Sequence, residues 1–140
     1  MRSKDAERLG VPFMLTEFGA CMEGDGCANE IRHVLEVCDV NLTGWAYWQF
    51  KTYKDLTTSA GEQSEGFYDD KGNLIVEKVK ELTRPYVRAA QGQILNMTTF
   101  ANGTFSFKLK VDTSIEIDGQ MAPTEFYINT DYWFKPIEGG

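Results

Sequence analysis

The chain is short of several things that would have named a function at once. It has one histidine, His33. A structural zinc site needs four nitrogen or sulfur ligands, and no second ligand pair surrounds His33, which argues against a metal. No apolar run approaches the roughly 20 residues needed to span a bilayer as a helix. The opening stretch, Met1-Arg2-Ser3-Lys4-Asp5-Ala6-Glu7-Arg8, lacks the apolar core of a signal peptide, so the chain reads as either cytosolic or the tail of a longer polypeptide. Positive charge is also scarce: 14 Lys and Arg stand against 21 Asp and Glu, a net charge of −7. A broad nucleic-acid-binding surface is therefore not expected. No internal repeat or low-complexity segment stands out.

What remains is a globular composition. At 140 residues, 42% hydrophobic and 25% charged, the chain can enclose one core. Aromatic residues reach 13%, which leaves room for a stacking site. Cys21 and Cys27 bracket a Gly-rich loop, and a third cysteine, Cys38, lies further on. A short-loop disulfide between Cys21 and Cys27, expected in an oxidising compartment, and three thiols are both open readings. Three Asn-X-Thr sequons, at Asn41, Asn96 and Asn102, allow N-glycosylation on a secretory route.

Hydrophobic spacing divides the chain. Residues 3–9 read as the end of a helix closed by Gly10. Phe13-Met14-Leu15 is apolar on both faces, as in a parallel strand covered by helices. Ile31, Val34, Leu35 and Cys38 recur at helical spacing, which predicts an amphipathic helix over 28–39 with His33 on its surface. Gly44 to Phe50 reads as the next strand, completing a strand–helix–strand unit. A loop from Thr52 to Gly66 and a turn at Asp69–Asn73 follow. Ile75, Val79 and Leu82 share a helical face that Pro85 terminates. Beyond, Asn102-Gly103 signals a hairpin, and Phe105, Phe107, Leu109 and Val111 alternate with polar residues as a half-buried antiparallel strand. Phe126 and Ile128 suggest another. The chain is thus α/β to about Tyr86 and all-β after about Gly92.

In parallel α/β folds, function gathers at the carboxyl ends of strands. Glu17 sits at such an end, followed by Phe18-Gly19. A carboxylate in an apolar setting is costly unless paired or functional, so a salt-bridged strand end and a catalytic group are both open. Retaining glycoside hydrolysis uses one carboxylate as nucleophile and a second, about 5–5.5 Å away, as acid/base. Trp48 lies near the end of the next strand, and an indole face stacks well on a pyranose. Trp45 and Tyr47 read as packing, and Trp48 as packing or a sugar wall. Gln49 and Lys51 are able to hydrogen-bond sugar hydroxyls or face solvent. Glu62 and Glu65 read as solvated loop charges. Asp112, Glu116 and Asp118 call for no functional role.

The run Leu15-Thr16-Glu17-Phe18-Gly19-Ala20, then Thr43-Gly44-Trp45-Ala46-Tyr47-Trp48-Gln49-Phe50, resembles the last two strands of a glycoside hydrolase family 5 barrel. The likeness is strongest to endoglycoceramidases and related glycosylceramidases. It extends through Glu65-Gly66-Phe67-Tyr68-Asp69-Asp70-Lys71-Gly72 and Leu82-Thr83-Arg84-Pro85-Tyr86 to Pro123-Thr124-Glu125-Phe126-Tyr127-Ile128, covering about residues 8–135. The resemblance implies an α/β fold: residues 1–88 as the C-terminal end of a (β/α)8 TIM barrel, and 92–140 as a partial β-sandwich accessory domain. It implies Glu17 as the nucleophile and Trp48 as the aromatic wall, with Gln49 and Lys51 as further substrate contacts and no metal or organic cofactor. The expected substrate is a glycolipid of the glycosylceramide type, with contact to a membrane surface. Cellulose, mannan or another glucan is an alternative substrate, and a noncatalytic carbohydrate- or membrane-surface-binding module is a third reading. The departure is the acid/base. In the family it follows the fourth strand in an Asn-Glu-Pro setting, and that tripeptide does not occur here. The chain is accordingly expected to be either part of a larger, secreted or lysosomal enzyme or a truncated gene product, inactive without the missing barrel half.

Overall fold

The computed structural model describes residues 2–21, 24–51 and 65–134. Contacts divide the chain into two compact units, 1–79 and 80–140.

The first unit opens with helix α1 (Arg2–Leu9). Gly10 ends it at φ 65°, a left-handed conformation that glycine adopts at little cost, while its N–H bonds the Glu7 carbonyl. Strand β1 (Met14–Leu15) leads to helix α2 (Asp25–Val40) and then to strand β2 (Gly44–Trp45). The two strands pair in parallel, Met14 with Gly44 and Leu15 with Trp45. The expected strand–helix–strand unit is therefore present. Helix α2 buries the stripe Ala28, Ile31, Leu35 and Cys38, the positions that helical spacing brings to one face, and His33 is exposed as expected. Helix α3 (Val76–Leu82) begins within this unit and stops shortly before Pro85.

Two expectations need correcting. The Phe13–Leu15 segment was expected to be covered on both faces, yet Phe13 is 37% and Met14 54% exposed. Among the described residues β1 has a single strand neighbour, β2, so its surroundings are those of an edge rather than a sheet interior. The second strand is also shorter than Gly44–Phe50. The parallel pairing continues as single bonds, Ala46 N–H to the Leu15 carbonyl (2.8 Å) and Trp48 N–H to the Phe18 carbonyl (2.7 Å). The next partners, Glu65 for Gln49 and Phe67 for Phe50, lie in an irregular segment, so the regular ladder stops.

The second unit is largely β. Strand β3 (Tyr86–Ala89) pairs antiparallel with β8 (Glu125–Tyr127), β4 (Gly92–Thr99) with β5 (Phe105–Val111), and the short β6 (Glu116–Ile117) with β7 (Gln120–Met121). The β4–β5 hairpin turns at Ala101–Gly103, where Asn102 Oδ1 accepts the Thr104 N–H and Gly103 takes φ 89°. Phe105, Phe107 and Leu109 are half-buried while Ser106, Lys108 and Lys110 are exposed, the alternation read from the sequence. Val111 breaks the pattern at 56% exposure, because it pairs with Gly92, which has no side chain to pack against it.

Buried polar groups knit this unit together. Arg84, 3% exposed, donates from Nη2 to the Thr99 carbonyl, and the Thr99 hydroxyl donates to the Pro85 carbonyl. Trp133, also 3% exposed, donates its indole N–H to the Lys80 carbonyl at 3.0 Å, with the Lys80 ammonium 5.5 Å from its ring centroid.

Candidate substrate site at the strand ends

The parallel pairing decides what meets at the end of β1 and β2. Because Leu15 lies beside Trp45 and the Phe18 carbonyl accepts the Trp48 N–H, Glu17 runs alongside Tyr47 and Trp48. Glu17 is exposed and stands two residues beyond β1, and among the described residues its carboxylate makes no ion pair. The salt-bridged reading of this residue thus finds no support among them.

A ladder of rings backs the strand ends. Phe18 meets Trp45 and Tyr47 edge-on, at 5.8 and 5.6 Å between centroids. Tyr47 then contacts Phe67, and Phe67 contacts Phe50. Edge-to-face pairs of this kind add to the area they bury. Gly19 is required here: at φ 122° a Cβ would overlap the Tyr47 ring. The Tyr47 hydroxyl donates to the carbonyls of Gly19 (3.2 Å) and Glu65 (2.9 Å). Burial, and then the nearby Glu65 charge, push the ionisation of Tyr47 far above the ordinary phenol range, so it stays a neutral donor. The Lys78 ammonium bonds the Gly66 carbonyl at 2.9 Å and lies 6.0 Å from the Tyr47 ring centroid.

Trp48 is held by one edge. Its Nε1–H donates to Glu65 Oε2 at 3.1 Å while 41% of its surface stays exposed. The following peptide bond, Trp48–Gln49, is cis. Gln49 is half-buried, and its Nε2 donates to the same Glu65 oxygen at 3.1 Å. The expectation that Glu65 is a solvated loop charge is therefore corrected. Glu65 is 7% exposed, because two side-chain donors turn its carboxylate inward and its own carbonyl accepts from Tyr47 and Gln49. Only its place just before Gly66-Phe67-Tyr68 hinted at burial in the sequence. Lys51 is exposed. Glu62 and most of the Thr52–Gly66 loop lie outside the described residues.

The remaining sequence candidates sit apart from this constellation. Cys21 and Cys27 are joined as a disulfide just before and within the first turn of α2. Cys38 is buried on the α2 stripe. The sequon residues Asn41, Asn96 and Asn102 are all exposed. Among the described residues, no group of three or more histidine, cysteine or carboxylate side chains could hold a metal.

A solved structure of endo-glycoceramidase II from Rhodococcus sp., with a five-membered iminocyclitol, superposes on the chain with a TM-score of 0.68 and 24% identity. The match covers 93% of this chain and 26% of that one. The chain shares its fold with part of endo-glycoceramidase II. Structures of the same protein as a lactosyl-enzyme intermediate and with ganglioside GM3 match similarly, with TM-scores of 0.67 and 0.65 at 24% and 23% identity. They cover 91% and 93% of this chain, and 26% and 25% of theirs. The chain therefore spans about a quarter of the length of its structural relatives, and at this identity the likeness is one of fold. At the level of fold it bears out the resemblance to endoglycoceramidases read from the sequence, and the α/β character with it. No protein-family model matches the chain, and no curated protein does.

Proposed function

We propose that the chain is the end of a family 5 (β/α)8 barrel, its last two strands and helices, with part of a following β-sandwich, from a retaining glycosidase that cleaves a β-glycosidic bond of a glycolipid. Residues 1–88 are the barrel end and 92–140 the accessory domain. The observation that carries this reading is the parallel pairing that brings together the strand ends bearing Glu17 and Trp48, in a fold shared with endo-glycoceramidase II. Relatives of that name solved with a lactosyl group on the enzyme and with a ganglioside support the glycolipid class.

In this reading a Glu17 carboxylate oxygen attacks the anomeric carbon, and the bond from that carbon to the leaving oxygen breaks. A second carboxylic acid protonates the leaving oxygen. That group, now a carboxylate, removes a proton from water, which attacks the anomeric carbon and frees Glu17. The acid/base group comes from outside these 140 residues, so the isolated chain is inactive. The exposed face of Trp48 stacks on the sugar, and Lys51 reaches its hydroxyls. Gln49, whose Nε2 is engaged by Glu65, contributes its side-chain oxygen. The Cys21–Cys27 disulfide and three exposed sequons support a secreted or lysosomal setting for the whole protein, at a membrane surface where its lipid substrate resides.

The test is hydrolysis of a fluorescent glycosylceramide by the polypeptide that carries this chain. Glu17→Gln is expected to lower kcat by about 10⁴-fold or more, the scale of nucleophile deletions. Azide is expected to rescue Glu17→Ala with inverted product. Full activity of Glu17→Gln would overturn the reading. Preferential cleavage of a cello-oligosaccharide would move the substrate to a glucan.

A further inference from the structure

We infer that Glu65 is the positioning residue of the strand-end site: its carboxylate fixes the plane of Trp48 and the amide of Gln49, so that the indole face is presented ready-made to a sugar ring. The inference rests on the sugar-binding reading above for its purpose, but its geometry stands independently.

Residue 65 grips three consecutive residues of the other segment. Its carbonyl accepts the Tyr47 hydroxyl (2.9 Å) and the Gln49 N–H (3.4 Å), and a single side-chain oxygen, Oε2, accepts both Trp48 Nε1–H and Gln49 Nε2–H, each at 3.1 Å. An exposed tryptophan without such a tether rotates about two side-chain bonds and must be ordered when ligand arrives, at an entropic cost. Here the N–H edge is anchored by a charge-assisted hydrogen bond, which is stronger than a neutral one. At 7% exposure the carboxylate is shielded from water that would compete for these donors, whereas the indole keeps 41% of its surface open. A residue that served only to fill space would not need to gather both donors on one oxygen.

That shared oxygen makes the prediction sharp. Glutamine keeps one carbonyl oxygen with two acceptor sites and can hold both donors, while leucine, of similar size, can hold neither. The experiment uses the 140-residue chain with ¹⁵N-labelled indoles. Its three tryptophans give three indole cross-peaks, assigned by Trp→Phe substitution, and lactose serves as the sugar probe. In Glu65→Leu the Trp48 N–H is expected to exchange with solvent about 10-fold faster, and lactose to bind about 10-fold more weakly, the scale of one lost charge-assisted bond. The Trp133 peak is expected to stay unchanged. Glu65→Gln is expected to restore both properties to within about 3-fold, a recovery that a role for the charge alone does not predict. If Glu65→Leu does not fold, Gln49→Met decides: removing the competing donor is expected to shift the Trp48 peak and leave those of Trp45 and Trp133 in place.

Unchanged Trp48 exchange in Glu65→Leu, a Glu65→Gln variant as impaired as Glu65→Leu, or an unmoved Trp48 peak in Gln49→Met would each overturn the inference. A wild-type chain that binds no lactose, yet shows the expected Trp48 exchange, would uphold Glu65 as the anchor and count against the sugar-binding reading.

Discussion

Two regions of this chain hold a tryptophan by its indole N–H, and they hold it differently. In the β-rich unit, Trp133 donates to the backbone carbonyl of Lys80 and is 3% exposed. At the strand ends of the first unit, Trp48 donates to the side chain of Glu65 and is 41% exposed. A buried ring bonded to backbone is part of what the fold needs in order to exist. A half-open ring bonded to a buried carboxylate is oriented by the fold but not consumed by it. The same contrast holds for the polar groups. In the second unit Arg84 Nη2 and the Thr99 hydroxyl donate to main-chain carbonyls, whereas the Glu65 carboxylate accepts from two other side chains. Where polar groups stabilise backbone the chemistry is structural. Where they orient partly exposed side chains it is available for a ligand.

Four experiments bear on this contrast. Trp133→Ala is expected to cost the most stability, about 3–5 kcal/mol as for other large-to-small core substitutions, read by denaturant unfolding. Lactose affinity at the strand ends should not change in the folded fraction. A loss of affinity there would break the distinction. Gly19→Ala comes next, at about 1–3 kcal/mol, because the new methyl group overlaps the Tyr47 ring and φ 122° disfavours any Cβ. The same measurement checks it, and an unaltered midpoint would mean that the ring ladder yields easily.

Trp48→Ala is expected to reverse the pattern of Trp133→Ala. Stability falls by only about 1 kcal/mol, chiefly the lost hydrogen bond to Glu65, while lactose binding is abolished in a calorimetric titration. The smallest effect concerns pH. Hydrogen bonds from the Asn73 side chain and then its backbone N–H hold the Asp69 carboxyl below the ordinary carboxylate range. Because the folded value is depressed, its contribution is complete above the unfolded value, about 3.9, and is lost as pH falls through the folded one. Carbon-detected NMR titration should place its midpoint below that of a free aspartate, and Asn73→Ala should raise it. An ordinary midpoint in the unsubstituted chain would show that the Asp69–Asn73 turn is not held in this way.

Much of the local structure was legible because short-range rules govern it. The spacing of Ile31, Val34, Leu35 and Cys38 leaves α2 little alternative, and the alternation from Phe105 to Leu109 leaves β5 equally little. Gly10 and Pro85 stop their helices for reasons of backbone geometry alone. The strands around the site were less legible. Gly44 to Phe50 looks uniformly extended, but whether a ladder forms depends on a partner: beyond Trp45 only single bonds to Leu15 and Phe18 remain, and beyond Trp48 the partners are Glu65 and Phe67 rather than a strand. Strands β3, β6 and β7 carry too few residues for periodicity to register. The bonds that tie Arg84 and Pro85 to Thr99 of β4 join residues 14 and 15 positions apart, and no composition shift reports them.

The amino-acid sequence by itself determined where the helices and strand β5 lie, and that Glu17 and Trp48 each stand at the end of an extended segment. Those outcomes follow from rules that act over a few residues. Only the tertiary structure decided that the two segments pair in parallel register, that Cys21 and Cys27 are joined, and that Glu65 turns inward to hold Trp48 and Gln49. Apart from the six-residue disulfide loop, these are contacts between residues far apart in the chain. Whether a carboxylate is solvated or buried depends on which donors the fold brings to it, and Glu65, a charge in a polar loop when read in line, becomes the anchor of the site when the donors of two other side chains converge on one of its oxygens.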